Sequence, residues 1–123
     1  MTKGLVIQGS FWPGREAPTP FDGGIEVNEG GEFYGTTTDC WGEASIWGEF
    51  TPGGRRLSFT KQYREGSQGE KKPIVYEFEL QILVVGGHEF CLGWKGTYTI
   101  VGRDALNALK QTREASCLFF LAD

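Results

Sequence analysis

Polar and apolar residues alternate strictly from Tyr76 to Ile82, where every second side chain is apolar. Because successive side chains of a β-strand point to opposite faces of the sheet, this pattern predicts a half-buried strand. The alternation resumes from Glu89 to Ile100, with Trp94 and Tyr98 on the apolar face. We expect Trp94 to be a core residue, whose replacement by alanine costs on the order of 3–5 kcal/mol.

The same alternation recurs along the rest of the chain and predicts eight strands. Their ranges are Gly4–Phe11, Phe21–Asn28, Phe33–Cys40, Glu43–Phe50, Leu57–Tyr63, Tyr76–Ile82, Glu89–Ile100 and Ser116–Ala122. The first and last strands carry apolar residues on both faces, so we expect them to pair and to remove both edges of the sheet. The sequence therefore predicts an all-β fold, an eight-stranded antiparallel up-and-down β-barrel, in a single domain covering residues 1–123.

Two kinds of connection separate these strands. Gly30-Gly31, Gly53-Gly54 and Gly86-Gly87 favour tight turns, because glycine adopts positive φ without steric cost. The alternate connections are long and cover residues 12–20, 64–73 and 101–115. In an up-and-down sheet, alternate connections lie at opposite ends, so we expect one closed end and one loop-rich mouth.

A short helix is expected between strands 7 and 8. Asp104 is a suitable N-cap for Ala105–Gln111, and Lys110 near the C-terminal end complements the helix dipole. We expect this helix to lie at the loop-rich end.

Glycines on the predicted inward faces favour a closed barrel over an open sheet. Such glycines weaken a flat strand, but they relieve crowding where a small barrel coils sharply. They are Gly9, Gly23, Gly35, Gly48 and Gly96. The interior of an eight-stranded barrel is wide enough to be filled by side chains or to hold one small ligand.

Several short segments resemble those of avidin/streptavidin-like barrels, which are of the calycin type. Residues 31–38, GEFYGTTT, are similar to the G-x-φ-x-G-T segment of the third avidin strand, and Gly93-Trp94 is similar to a Gly-aromatic signature of these barrels. The resemblance implies the barrel fold. It does not imply biotin binding, because Thr37 stands where avidin-like proteins have an inward tyrosine.

Charge and composition exclude several classes of function. The net charge is −4 and the pI is near 5.0, and Lys and Arg form no basic stripe, so we expect no nucleic-acid partner. No apolar run approaches the length of a membrane helix, so no membrane partner is expected. The three cysteines lack C-x-x-C spacing and His88 is the only histidine, so we expect no metal, no cofactor and a cytoplasmic location with reduced thiols.

A group of polar and aromatic residues is predicted to face inward near the mouth. Lys and Asp are costly to bury unless they are paired, so these residues either satisfy one another or face a ligand. The predicted ligand-binding residues are Asp39, Lys61, Tyr63, Tyr76 and Tyr98, with Trp12 and Trp41 at the rim beside Phe11 and Phe21. The alternative is that Lys61 and Asp39 extend to solvent at the rim.

Three functions remain open at this point. The first is a non-enzymatic barrel that binds a small ligand at its mouth, namely a weakly acidic aromatic or amphipathic compound. The second is a filled barrel that acts as an oligomerisation module, a homodimer or higher homo-oligomer, through the outward residues Trp47, Leu83 and Val85. The third is an isomerase that uses Lys61 or Asp39 for proton transfer.

Overall fold

The computed structural model describes residues 2–11, 17–85, 89–100 and 113–121, and these residues form an antiparallel all-β sheet. The strands are β1 (Lys3–Phe11), β2 (Thr19–Val27), β3 (Glu32–Asp39), β4 (Gly42–Phe50), β5 (Arg56–Tyr63), β6 (Ile74–Val85), β7 (Glu89–Ile100) and β8 (Arg113–Leu121). The prediction of an all-β, antiparallel, up-and-down fold is confirmed. The predicted helix over 105–111 lies outside the described residues.

Each strand pairs with the next one along the chain, and β8 pairs with both β7 and β1, so that the sheet closes. In the β1–β8 ladder, Ile7 lies opposite Phe119 and Leu5 lies opposite Leu121. Within the described part of the chain, no helix has the length and apolar character needed to cross a membrane.

Inward-facing glycines allow neighbouring strands to approach closely. A Cβ atom on Gly23 would overlap the carbonyl oxygen of Thr36, and one on Gly48 would overlap that of Ser58. The sheet therefore bends sharply at these positions, as expected where a strand curls around a small core.

Tight turns close the end of the sheet opposite the mouth. In the turn after β2, the Asn28 side chain accepts hydrogen bonds from the backbone N–H groups of Gly30 and Glu32, at 2.9 and 3.0 Å. Gly31 adopts a φ of 86°, which favours glycine. Both observations agree with the turn predicted at Gly30-Gly31, whereas the turn predicted at Gly86-Gly87 lies outside the described residues.

Aromatic rings fill much of the core. Phe59 and Tyr76 stack with ring centroids 4.6 Å apart and an interplanar angle of 10°. Trp94, predicted to be a core residue, is partly buried and packs against the core, with its ring centroid 5.6 Å from that of Phe50. Its indole N–H donates a hydrogen bond of 3.0 Å to the carbonyl oxygen of Gly54. Trp94 therefore ties β7 to the turn between β4 and β5.

Candidate functional site

A buried cluster of polar groups lies at the end of β3. The Nζ atom of Lys61 lies 2.8 Å from Oδ2 of Asp39, and the two side chains are 2% and 0% exposed. The hydroxyl of Tyr63 donates to the same carboxylate oxygen at 2.5 Å, and the backbone N–H of Trp41 donates to Oδ1 at 2.9 Å. We call Asp39, Lys61 and Tyr63 the Asp39 cluster.

Strand periodicity and a turn bring this cluster together. Lys61 and Tyr63 are two residues apart on β5, so both side chains point to the inside of the sheet. Asp39 is the last residue of β3, and its bond to the N–H of Trp41 is the short-range contact that Asp side chains commonly make in turns. The turn therefore holds the carboxylate above the two β5 side chains.

Aromatic rings surround the ammonium group of Lys61. Its Nζ lies 4.7, 5.4, 4.6 and 5.9 Å from the ring centroids of Phe11, Phe21, Tyr63 and Tyr76. A cation within about 6 Å of an aromatic face is attracted by the ring quadrupole. The charge of Lys61 is therefore balanced by the Asp39 carboxylate and by these rings.

Burial shifts the protonation equilibria of two members of the cluster. It lowers the pKa of Lys61, and the hydrogen bond and negative charge of Asp39 oppose that shift. Burial also raises the pKa of Tyr63 far above its usual value, and the hydrogen bond to Asp39 adds to this increase. At neutral pH the phenol of Tyr63 is therefore a hydrogen-bond donor to the carboxylate.

The alternative in which Lys61 and Asp39 extend to solvent is wrong, because neither side chain is more than 2% exposed. Asp39 is the last residue of β3, and the Lys61 side chain extends from β5 to its carboxylate. The two groups satisfy each other inside the sheet.

A cavity of about 520 Å³ lies above the cluster, at the loop-rich end. Volumes of this size suit a small organic ligand, which commonly occupies 300–1,000 Å³ in proteins. The lining residues are Phe11, Trp41, Tyr63, Gln68, Gly69, Glu70, Lys71, Ile74, Tyr98 and Ile100. The cavity thus has aromatic and aliphatic walls, with charged groups contributed by the β5–β6 connection.

The connection between β5 and β6 is held against the mouth by specific contacts. The backbone N–H of Gln68 donates to the carbonyl oxygen of Trp41 at 2.8 Å, and the side-chain amide of Gln62 donates to the carbonyl oxygen of Lys71 at 2.9 Å. A Cβ atom on Gly69 would overlap the ring of Tyr63, so the loop lies directly on that ring. The loop therefore forms one wall of the cavity.

The residues predicted for ligand binding divide into two layers. Trp41, Tyr63 and Tyr98 line the cavity, whereas Asp39, Lys61 and Tyr76 do not. Tyr76 is 1% exposed and packs within the core. Trp12 lies outside the described residues.

Sequence reasoning missed part of the cavity wall. The missed lining residues are Gln68, Gly69, Glu70, Lys71, Ile74 and Ile100. Ile100 already shared the apolar face of the predicted strand 89–100, and extending the alternation of the Tyr76–Ile82 strand by two residues would have found Ile74, which lies directly opposite it. The loop residues carry no periodic signal.

Thr37 is a further polar residue of the interior. It is 1% exposed, and its hydroxyl has no hydrogen-bond partner in the part of the chain that the structure describes. It lies on β3 two residues before Asp39, so both side chains share the inward face.

No family model, curated protein or solved structure matches the chain. The resemblance to avidin-like barrels therefore stays a prediction. Across the residues described, no three His, Cys, Asp or Glu side chains are grouped closely enough to hold a metal ion.

Proposed function

We propose that this protein is a non-enzymatic binding protein that holds a small aromatic or amphipathic molecule in the mouth cavity. The observation that carries the proposal is the 520 Å³ cavity, whose walls include Phe11, Trp41 and Tyr98. Ligand sites are mainly apolar concavities with a few polar groups that fix orientation. The mouth cavity has this composition.

The container in this proposal is the eight-stranded barrel, with the helix over 105–111 near its mouth. Closure by β8 matters because it supplies the wall between β7 and β1. We also propose an avidin-like relationship for this barrel and a cytoplasmic location, the latter because an odd number of cysteines does not form a complete disulfide framework.

The polar end of the ligand is proposed to face the β5–β6 connection. Lys71 lines the cavity and is exposed, and its ammonium uses one of its three N–H donors in a 3.1 Å hydrogen bond to the carbonyl oxygen of Ser67, whereas the ammonium of Lys61 is already paired with Asp39. A phenolate or carboxylate on the ligand would meet Lys71 at the rim, while its ring packs against Trp41 and Tyr98. The other charged side chain of this wall, Glu70, accepts a 3.2 Å hydrogen bond from the backbone N–H of Lys72. We therefore propose a weakly acidic aromatic compound, rather than a cation, for this site.

Ligand binding can be tested with a panel of aromatic carboxylates, phenols and aromatic amines, using tryptophan fluorescence and thermal shift. We expect the acids and phenols to raise the melting temperature and to change the emission of Trp41. Trp41→Ala should weaken binding at least tenfold, because it removes a ring from the cavity wall.

Trp47 supplies the matched control. It lies on the outer face of β4 and is 46% exposed, so Trp47→Ala should leave ligand affinity within twofold of the wild type. Equal weakening by both substitutions, or a panel in which no compound shifts the wild-type melt, would contradict the proposal.

A second function, self-assembly, is favoured by one surface. Among the described residues, the exposed large hydrophobic side chains are Val6 (39%), Tyr34 (61%) and Trp47 (46%). All three line one depression of about 630 Å³ on the outside of the sheet. We propose that a second copy of the chain covers this surface and forms a homodimer.

A further inference from the structure

The Asp39 cluster holds the chemical groups that imine formation requires. A lysine amine is the nucleophile, and imine formation needs it partly unprotonated. The Nζ of Lys61 lies 2.8 Å from a carboxylate oxygen that also accepts the 2.5 Å hydrogen bond from Tyr63. An amine, a carboxylate and a phenol are thus joined by direct hydrogen bonds.

The amine also lies close beneath the cavity. Phe11 and Tyr63 line the cavity wall, and the centres of their rings lie 4.7 and 4.6 Å from Nζ. A single layer of rings therefore separates the amine from the space in which a ligand would sit. Tyr63 is held by its hydrogen bond to Asp39 and by Gly69 packed on its ring, so we take Phe11 as the ring that an entering ligand displaces.

We propose that Lys61 forms a reversible imine with an aromatic aldehyde bound in the mouth cavity. The proposal rests on the proposed function, because the aldehyde must first occupy that cavity. It adds the chemical class of the ligand and a covalent mode of holding it.

The reaction balances without an oxidant or a reductant. The Lys61 ammonium passes one proton to the Asp39 carboxylate, and the nitrogen lone pair attacks the aldehyde carbon, which forms the C–N bond and moves the carbonyl π electrons onto oxygen. That oxygen takes a second proton from the nitrogen to give the carbinolamine, then takes the proton held by Asp39 and leaves as water. In total, one ammonium and one aldehyde give one protonated imine and one water, which carries away two hydrogens of the ammonium.

The surrounding groups suit each step. Lys61 and Tyr63 both donate a hydrogen bond to the same carboxylate oxygen of Asp39, so a proton can move between amine, carboxylate and departing oxygen over short distances. The protonated imine keeps the positive charge of the original ammonium, so Asp39 and the rings continue to balance it. Burial lowers the pKa of Lys61, which increases the fraction of free amine.

The test uses 4-hydroxybenzaldehyde as the probe and cyanoborohydride to reduce any imine to a stable amine. The adduct is located by intact mass and peptide mapping on the wild-type protein. We expect Lys61 to carry at least fivefold more label than Lys95, although Lys61 is 2% exposed and Lys95 is exposed. If exposed lysines such as Lys95 carry the label and Lys61 is unmodified, the proposal is wrong.

4-Hydroxybenzyl alcohol, which cannot form an imine, separates this inference from the proposed function. If the alcohol binds by tryptophan fluorescence but the aldehyde does not label Lys61, ligand binding stands and the imine is wrong. If both hold, the alcohol should protect Lys61 from labelling and leave Lys95 unprotected. If it binds without protecting Lys61, the labelling does not proceed through the cavity and the inference fails.

Lys61→Arg and Lys95→Arg form a matched pair of variants. Arginine keeps the positive charge beside Asp39 but does not form an imine under these conditions. Lys95→Arg changes an exposed lysine of β7 that does not line the mouth cavity, and we expect it to leave the labelling of Lys61 within twofold of the wild type. If Lys61→Arg does not fold, the map of the labelled wild-type protein still decides the question.

Discussion

The carboxylate of Asp39 accepts hydrogen bonds from Lys61, Tyr63 and the backbone of Trp41. It therefore joins the end of β3, the inward face of β5 and the turn that begins β4. A buried charge is stable only when it is paired, so Asp39 and Lys61 each stabilise the charged form of the other inside the sheet.

We expect Asp39→Ala to lower the free energy of unfolding by about 3–5 kcal/mol, because it leaves the Lys61 ammonium buried without its carboxylate. Adding Lys61→Met should recover part of this loss, since it replaces the stranded ammonium by an apolar side chain of similar length. Urea denaturation of the wild type, both single variants and the double variant measures the coupling. Strictly additive losses would show that the ion pair contributes nothing as a pair.

The phenol of Tyr63 predicts a decline in stability at alkaline pH. Its pKa is raised in the folded protein, so above the unfolded-state value of about 10 the unfolded chain loses a proton that the folded chain keeps. The stabilisation that this group contributes is complete below pH 10 and declines as pH rises from there. The slope is about 1.4 kcal/mol per pH unit for one proton.

Tyr63→Phe should remove this slope. We expect the denaturation midpoints of the variant and the wild type to converge as pH rises from 9 to 12. Only the wild type has the Tyr63 phenol, whose deprotonation accompanies unfolding at high pH. The burial-lowered pKa of Lys61 contributes a slope of opposite sign below about pH 10.4, and it is present in both proteins. A constant difference between the two proteins across this range would contradict the assignment.

At the level of the strands, Trp94 fixes β7 to the closed end of the sheet. Because Trp94 is only partly buried, we expect Trp94→Ala to cost about 3 kcal/mol, at the low end of the range for large core residues. Trp94→Phe keeps the ring contact with Phe50 and loses the hydrogen bond to Gly54, so it should cost about 1 kcal/mol. Guanidinium denaturation gives both values.

Trp47→Ala is the control for this pair of variants, since Trp47 lies on the outer face and is 46% exposed. Its loss should stay within about 1 kcal/mol, as is usual for surface substitutions. If Trp94→Ala lowers the free energy of unfolding no more than Trp47→Ala does, Trp94 is not a core residue.

Parity along single strands could be predicted from the sequence, whereas contacts between distant loops could not. Two-residue spacing placed Lys61 and Tyr63 on one face of β5, because side-chain direction in a strand is local. The packing of Gly69 on Tyr63 and the bond from Gln68 to Trp41 join segments that share no periodic pattern. Lys71 belongs to one of these loops, and only the structure shows that this exposed residue also lines the mouth cavity.

The direct pairing of Asp39 with Lys61 was only one of three possibilities at the level of the sequence, beside contact with a ligand and extension to solvent. The alternation along each strand placed both residues on the inward face. How deeply a side chain is buried, however, depends on the rings that pack around it. Phe11 and Tyr63, which lie on β1 and β5, cover the ammonium from the mouth. This burial depends on the packing of β1 against β5 across the sheet, so the pattern of a single strand does not predict it.

For the whole molecule, the two ends of the sheet differ in chemistry as well as in loop length. Phe33, Phe50 and Trp94 pack together at the closed end. The ring centroid of Phe50 lies 5.3 Å from that of Phe33 and 5.6 Å from that of Trp94. The mouth carries the cavity and, beneath it, the buried charges. This difference is why we assign the proposed ligand to the mouth and the proposed contact between copies to the outer face of the sheet.

The outer face of β1 to β4 predicts a homodimer. Val6 and Thr36 lie directly opposite Gly24 in the β1–β2 and β2–β3 ladders, and glycine has no side chain there, which leaves the depression between Val6, Tyr34 and Trp47. In a twofold dimer the same patch serves both subunits, so the Trp47 ring of each copy could occupy the depression of the other. Light scattering at micromolar concentration should give twice the mass of the chain.

Trp47→Glu should convert this dimer to a monomer, because it places a charge in an apolar interface, while the circular dichroism spectrum stays that of the wild type. Lys95→Glu is the control, since it introduces the same side chain at an exposed position on β7 that does not line this depression. The control should remain dimeric. A wild-type protein that is monomeric at micromolar concentration, or two variants that dissociate alike, would show that this face does not mediate assembly.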